Sequence, residues 1–443
     1  MASANEARES VFRGRRNSFL RSIKGDCALL IAAPARLKSR DQHYEYFQDQ
    51  NFLYLTGVEE PGCALVLRGV SSGPRTVLFV RDRDAVAERW QGERLGVRRA
   101  KRRFEVDEVR CIEQLPDDLE ELVKGSRKLY YGPGVDSELD RFVFSLFQNP
   151  TAPRPGCPTG LEDARVILSE MRFVKDRDEI RALKHAADIT THSFAKLAKQ
   201  LKTFKSEIHC ARTLEQYFVE LGASGTAFDT IVASGRNAAV LHHHPSHQPL
   251  WKRQMLLIDA GARHRGYCAD VTRVYPSEGG FIGAQADVYD CVEKALRAAC
   301  DRVRPGTNLN SIHLAACREI TRGLVDMGIL EGDVPTLMAE GAYKKYFMHR
   351  TSHWLGLDVH DINPLFWTKS GKEKDSYSRP LVAGNVFTVE PGLYFDPNDK
   401  TIPEAFRGIG VRLEDDVLVT PGGRTVLTAE LPSKRTEVEE MLS

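Results

Sequence analysis

The stretch Leu256-Leu257-Ile258-Asp259-Ala260-Gly261, followed after four residues by Gly266-Tyr267-Cys268-Ala269-Asp270-Val271-Thr272-Arg273, decides how the rest of the chain is read. Two apolar runs flank a short polar turn, the pattern of a β-hairpin. With His264 and Arg265 as the turn, Asp259 and Asp270 face each other on one side of the hairpin, whereas a bulge at Gly266 would slip this register by one. Two carboxylates held this close repel strongly unless a proton or a cation lies between them. A shared metal ion is the natural resolution.

Working outward, Val386-Phe387-Thr388-Val389-Glu390-Pro391-Gly392 ends a strand with a carboxylate beside a turn. Val411-Arg412-Leu413-Glu414-Asp415 alternates so that Arg412 and Glu414 share one side. Taken alone, acidic residues at such positions are usually solvated. Histidine supplies the remaining donor: His349, His353 and His360 fall within twelve residues of a chain that holds only 13. His242, His243, His244 and His247 form a second cluster, read as an exposed loop in which one member need matter. Four carboxylates and one histidine make a hard, oxygen-rich set suited to a pair of Mn, Co, Zn or Fe(II) ions, not to a thiolate zinc site. Such a pair lowers the pKa of bound water enough to supply hydroxide near neutral pH, which is hydrolase chemistry.

A chain of 443 residues exceeds one ordinary core and predicts two domains. Residues 149–160 gather Pro150, Pro153, Pro155 and Pro158 with Gly156 and Gly160 and read as a linker, giving domains 1–160 and 161–443. Before it, strands are expected at 27–32, 52–55, 64–67 and 76–80 and a helix at 117–124, an α/β pattern. After it, helices at 175–199, 206–221, 284–303 and 310–327 and strands at 228–233, 255–259, 267–275, 386–389 and 411–419 predict an α+β layer.

Charge and composition exclude several function classes. Lys plus Arg number 62 against 61 for Asp plus Glu, so the overall field gives no reason to expect nucleic acid as a partner. The cluster Arg98, Arg99, Lys101, Arg102 and Arg103 lacks aromatic interleaving and reads as a solvated helix end or loop. No apolar run approaches the ~18 residues needed to cross a bilayer. No signal-type apolar core follows the basic N-terminus, so a cytoplasmic location is expected. Nine scattered cysteines without a Cys-x-x-Cys pair read as reduced thiols.

At the residues quoted above the sequence resembles the creatinase and methionine-aminopeptidase-like "pita-bread" superfamily. The blocks Leu-Ile-Asp-Ala-Gly, Ser-His-Trp-Leu-Gly-Leu-Asp-Val-His-Asp, Thr-Val-Glu-Pro-Gly-Leu-Tyr and Gly-Ile-Gly-Val-Arg-Leu-Glu-Asp-Asp match that superfamily in order. Gln50-Asn51-Phe52-Leu53-Tyr54-Leu55-Thr56-Gly57 with Glu59-Glu60-Pro61 resembles the first domain of the aminopeptidase P type, which methionine aminopeptidases lack. The resemblance implies a catalytic pita-bread domain preceded by a smaller α/β domain of regulatory or oligomer-forming role. It implies Asp259 on one ion, His353 and Glu390 on the other, and Asp270 and Glu414 bridging them. The ions are expected to be Mn2+ before Co2+, Zn2+ or Fe2+.

By the same resemblance Glu390, His360, His349 and Arg412 form the catalytic set. Glu390 would carry a proton to the departing proline nitrogen, His360 would stabilise the oxyanion, and Arg412 would anchor the ligands. His242, His349 and His360 would line the substrate side. The implied substrate is a peptide beginning Xaa-Pro, and the implied assembly a homodimer or homotetramer. Prolidase, which accepts only dipeptides, is the alternative. A metal-free binding protein would have lost ligands that are all present here, and a two-histidine, one-carboxylate oxygenase does not suit so many carboxylates. The chain departs from the family at Arg350-Thr351, where Gly-Leu or Gly-Val is frequent, and in a long segment between His360 and Glu390 carrying Lys369, Lys372 and Lys374.

Overall fold

Apolar runs and capping residues account for most elements of the computed structural model, which describes residues 2–70, 73–148, 156–250, 253–362, 364, 367–369 and 372–442. The chain forms two units, Met1–Met171 and Arg172–Ser443. Most of the proline-rich segment expected as a linker, residues 149–155, lies outside the described residues.

The first unit is built on a six-stranded sheet. Its strands run in the order Glu108–Cys111, Thr76–Val80, Ala64–Arg68, Cys27–Ile31, Lys128–Tyr131, Gly160–Glu162. Cys27–Ile31 pairs antiparallel with Ala64–Arg68 and parallel with Lys128–Tyr131, so the sheet is mixed. The three strands Cys27–Ile31, Ala64–Arg68 and Thr76–Val80 are buried at every position, which is why they read as unbroken apolar runs.

Residues 52–55, expected as a strand, are instead part of the helix Gln50–Thr56. Local chemistry explains the difference. Asp49 accepts a hydrogen bond from the Phe52 N–H at the start, and Gly57 closes the end at φ 68°. The basic cluster lies on the helix Val97–Arg103, of which only Ala100 is buried, a solvated face as expected. Among the described residues no helix is long and apolar enough to cross a membrane.

The second unit repeats one element order twice. A helix pair, Arg177–Ala198 and Glu207–Glu220, precedes the antiparallel strands Ile231–Ser234, Met255–Ala260 and Val271–Pro276. A second pair, Ala284–Asp301 and Leu309–Asp326, precedes Val386–Val389, Asp415–Thr420 and Gly423–Val426. Asp176 with Glu179, Ser206 and Asn308 cap three of these helices, fixing their starts. One continuous core joins helices to strands, from Phe194 and Phe218 through Ile258 and Val274 to Ile320, Phe387 and Val417.

Two strands expected to be continuous are broken, and the breaks matter. The 267–275 run divides into Tyr267–Cys268 and Val271–Pro276, with Asp270 in the gap. The 411–419 run divides into Gly410–Arg412 and Asp415–Thr420, with Glu414 in the gap. Glu390 likewise sits between Val386–Val389 and Gly392–Tyr394. Three acidic side chains thus occupy positions released from the regular ladder.

The hairpin register also needs correction. The turn is Arg265-Gly266, at φ 52° and 87°, not His264-Arg265. Two successive left-handed residues are what a two-residue hairpin turn of this twist requires, and glycine supplies the second without strain. Asp259 therefore pairs with Thr272, not Asp270. Because the slip is two residues, Asp270 stays on the face of Asp259, one diagonal step along.

Candidate metal centre

Asp259, Asp270, His353, Glu390 and Glu414 line a single cavity of about 530 Å³ with His242, His349, His360, Arg350 and Arg412. Every site residue expected from the sequence is thus in one place. Asp270, His353 and Glu414 each offer a ligand atom within 4.8 Å of the others, a group that could hold a metal ion.

The polar contacts show what these side chains need. The His353 ring presents Nδ1 to the Trp354 carbonyl at 3.1 Å. A carbonyl only accepts, so Nδ1 carries the proton and Nε2 keeps its lone pair. That lone pair faces Asp270 Oδ2 at 3.4 Å and Glu390 Oε1 at 3.7 Å. With the carboxyls ionised, three acceptors converge with no donor between them among the described residues. Asp259 Oδ1 is buried with no protein partner, while its Oδ2 accepts from Arg412 Nη2. A divalent cation would satisfy all of these groups at once, in place of protons on the carboxyls.

The carboxyl groups respond as physics requires. Burial raises Asp270 well above its ordinary range, and the charges of Asp259, Asp416 and Glu390 add to that. Burial likewise raises Glu414, with Asp270, Glu390 and Asp259 reinforcing it. Glu390 is pushed up to about 7 by burial, with Asp259 reinforcing this and His353 and Arg412 opposing it. Protein alone therefore favours keeping protons on the cluster, and a cation would displace them.

Around these side chains Arg412 and His349, named from the sequence, are joined by two supports that sequence reading missed, Thr272 and Tyr394. Arg412 donates from Nε to Thr272 Oγ1 at 3.1 Å and from Nη1 to the Tyr394 hydroxyl at 3.0 Å. Thr272 Oγ1 donates in turn to Glu414 Oε2 at 2.7 Å. Tyr394 lies 2.9 Å from His349 Nε2, and His349 Nδ1 lies 2.8 Å from the Arg350 carbonyl. Because that carbonyl only accepts, Nδ1 donates and Nε2 receives the tyrosine proton. Burial pulls His349 down to about 4, so the ring is neutral. The four positions 390, 392, 394 and 412 hold together because Gly392–Tyr394 pairs with Gly410–Arg412. The signal for Tyr394 was its even spacing from Gly392 within the strand Gly392–Tyr394, which puts it on the face of Arg412, the residue paired with Gly392.

The loop carrying His353 and His360 is fixed from below. Asp361 is buried and accepts from Lys175 Nζ at 2.6 Å and from Arg172 Nη2. The His353 and His360 rings stack at 3.9 Å between centroids. His242 lies on the cavity wall beside His243, whose Nε2 meets the buried Glu207 at 2.9 Å. The side chains of Lys369, Lys372 and Lys374 lie outside the described residues.

Comparison with known proteins agrees with this geometry. Residues 181–421 match the metallopeptidase family M24, and residues 12–130 match the aminopeptidase P N-terminal domain. The chain is 36% identical to the Xaa-Pro aminopeptidase of Escherichia coli K12, over 99% of this chain and 98% of that protein. Among solved structures, the aminopeptidase PepP of Pseudomonas aeruginosa superposes with a TM-score of 0.91 at 34% identity, covering 98% of both chains. The E. coli aminopeptidase P with the inhibitor Pro-Leu gives 0.91 at 35% identity, again over 98% of both. Shared sequence along nearly the whole length, the shared fold and a buried carboxylate–histidine cluster agree, and the chain belongs to the M24 metallopeptidases of the aminopeptidase P type, hydrolases of pita-bread fold.

Proposed function

We propose that this chain is an Xaa-Pro aminopeptidase, removing the N-terminal residue from peptides with proline second and using two divalent ions, Mn2+ first among them. One observation carries the reading: the His353 Nε2 lone pair, Asp270 and Glu390 converge with no donor between them, beside a buried Asp259 oxygen that lacks a partner. Asp259, Asp270, His353, Glu390 and Glu414 would hold the ions. When bound, they supply Lewis acidity and a nucleophile at neutral pH.

The remaining work belongs to side chains of this protein. Glu390 carries the proton: its carboxylate accepts a proton from water and delivers it to the departing proline nitrogen. Arg412 holds Asp259 and Tyr394, and Tyr394 keeps His349 in one tautomer facing the substrate. His360 and His242 complete the substrate wall, with His360 set to stabilise the oxyanion. A tertiary Xaa-Pro amide offers no N–H, so recognition falls to this cavity rather than to strand pairing.

The relatives named Xaa-Pro aminopeptidase favour this reading over prolidase. The first unit would act in regulation or assembly, the protein as a cytoplasmic homodimer or homotetramer. The deciding assay compares an Xaa-Pro dipeptide with an Xaa-Pro-Xaa tripeptide on metal-loaded enzyme. Cleavage of the tripeptide is expected. Strict dipeptide hydrolysis would instead establish a prolidase. Metal analysis of the purified protein tests the count of two.

A further inference from the structure

Arg350 stands where the family frequently has glycine, and nothing in the proposed chemistry uses it. Arg350 is among the residues lining the same cavity as the proposed metal-binding side chains. It is held there: Nη1 donates to Asn310 Oδ1 at 2.8 Å, and Cζ lies 4.8 Å from the centre of the Tyr377 ring. Tyr377 itself lines the cavity. Arg350 makes a long ion pair with Asp375, whose Oδ2 is 3.8 Å from Nη2, beyond hydrogen-bond distance, and both side chains are about half exposed at 50% and 48%. The Arg350 backbone carbonyl receives the proton of His349 Nδ1, so the residue is anchored at both ends.

Among the described residues lining the cavity, the other arginine is Arg412, which is buried and bound to Asp259. Arg350 is therefore the cation with donors to spare. A substrate entering this cavity has charge at its ends. Its α-ammonium is repelled by Arg350 and its carboxylate attracted, so the two ends are sorted by field. The planar fork of a guanidinium, already fixed by Asn310 and Tyr377, suits a carboxylate.

Resting on the Xaa-Pro reading above, we infer that Arg350 is a specificity-determining residue that binds a substrate carboxylate beyond the proline. That carboxylate belongs to the C-terminus of a tripeptide or to an acidic side chain in third position. The enzyme is thereby biased toward short or acidic peptides.

The test uses metal-loaded full-length enzyme and two peptide pairs. Ala-Pro-Ala is compared with its C-terminal amide, and Ala-Pro-Glu-Ala-amide with Ala-Pro-Gln-Ala-amide. Wild type is expected to favour the charged member of at least one pair by about tenfold in kcat/KM, through KM, the size expected of a charge-assisted hydrogen bond. Preference in the first pair assigns the C-terminus, in the second the side chain. Arg350→Gln should bring the ratio to about 1, and Arg350→Lys should restore part of it. A structural role alone would slow all four peptides alike. Equal use of both members by wild type, or a ratio unchanged in Arg350→Gln, overturns the inference while leaving the aminopeptidase reading intact. Failure of wild type to cleave any of the four defeats both.

Discussion

Glu390 lies where burial raises its carboxyl pKa to about 7, against an ordinary value of 4.5. Asp270 and Glu414 are pushed the same way. For each, the metal-free folded protein binds a proton that the unfolded chain has already released. These carboxyls therefore contribute stability to the metal-free protein that is lost as pH rises from the ordinary carboxylate range through about 7, while His349, His360 and His313, each lowered by burial to about 4, oppose them below about 6.5. Thermal unfolding at about pH 5 and about pH 8, in chelator and in Mn2+, checks the sign. The stabilisation by Mn2+ over chelator should grow from pH 5 to pH 8, because a bound cation takes the place of the protons on these carboxyls. Tyr394 offers a second test at this scale. Tyr394→Phe removes the hydroxyl between Arg412 and His349, leaving a buried guanidinium donor unpaired. With the fold retained by circular dichroism, kcat/KM should drop about ten- to a hundredfold, the cost of an unmet charged hydrogen bond. Activity equal to wild type would show that the His349 tautomer is fixed by the Arg350 carbonyl alone.

Among elements, the hairpin from Met255 to Pro276 governs where Asp259 and Asp270 can meet. At Gly261 the hairpin strands approach so closely that a Cβ would lie 1.7 Å from the Ala269 carbonyl oxygen. Gly261→Ala must push the 269–270 segment outward and carry Asp270 with it. Overpacking of this kind costs about 1–3 kcal/mol. Calorimetric titration of the metal-free variant should show Mn2+ affinity lowered by at least about tenfold. Unchanged affinity would mean that Asp270 tolerates displacement. The strand breaks at Asp270, Glu390 and Glu414 follow the same logic. A side chain inside a regular ladder shares its face with neighbours at fixed spacing, whereas a break lets carboxylates from separate strands turn toward one point.

Across the whole molecule, two units with cores of their own should unfold as separable transitions, since each buries its own apolar set. Every metal-binding candidate lies in the unit Arg172–Ser443. Added Mn2+ should therefore raise the melting temperature of that transition alone in differential scanning calorimetry, by mass action on the folded form. A shift of the other transition, or of one merged peak, would show that the units melt together.

Much of this was legible in the chain by itself. The long amphipathic helices, the buried strands of the first sheet and the histidine and carboxylates that line the candidate metal centre follow from periodicity, capping residues and matching sequence blocks, all of which are local. Residues 52–55 misled because four apolar positions fit a strand as well as a helix, and only Asp49 and Gly57 arbitrate. The hairpin slip turned on which two residues take positive φ. What no local reading reaches is convergence across the chain. Arg412 finds Asp259 and Thr272 about 150 and 140 residues away, and Asp361 finds Lys175 across a similar span. Sequence alone named the groups that want a metal. The tertiary structure chose their partners, because only burial around a common cavity turns separate carboxylates into one charged cluster that a cation must resolve.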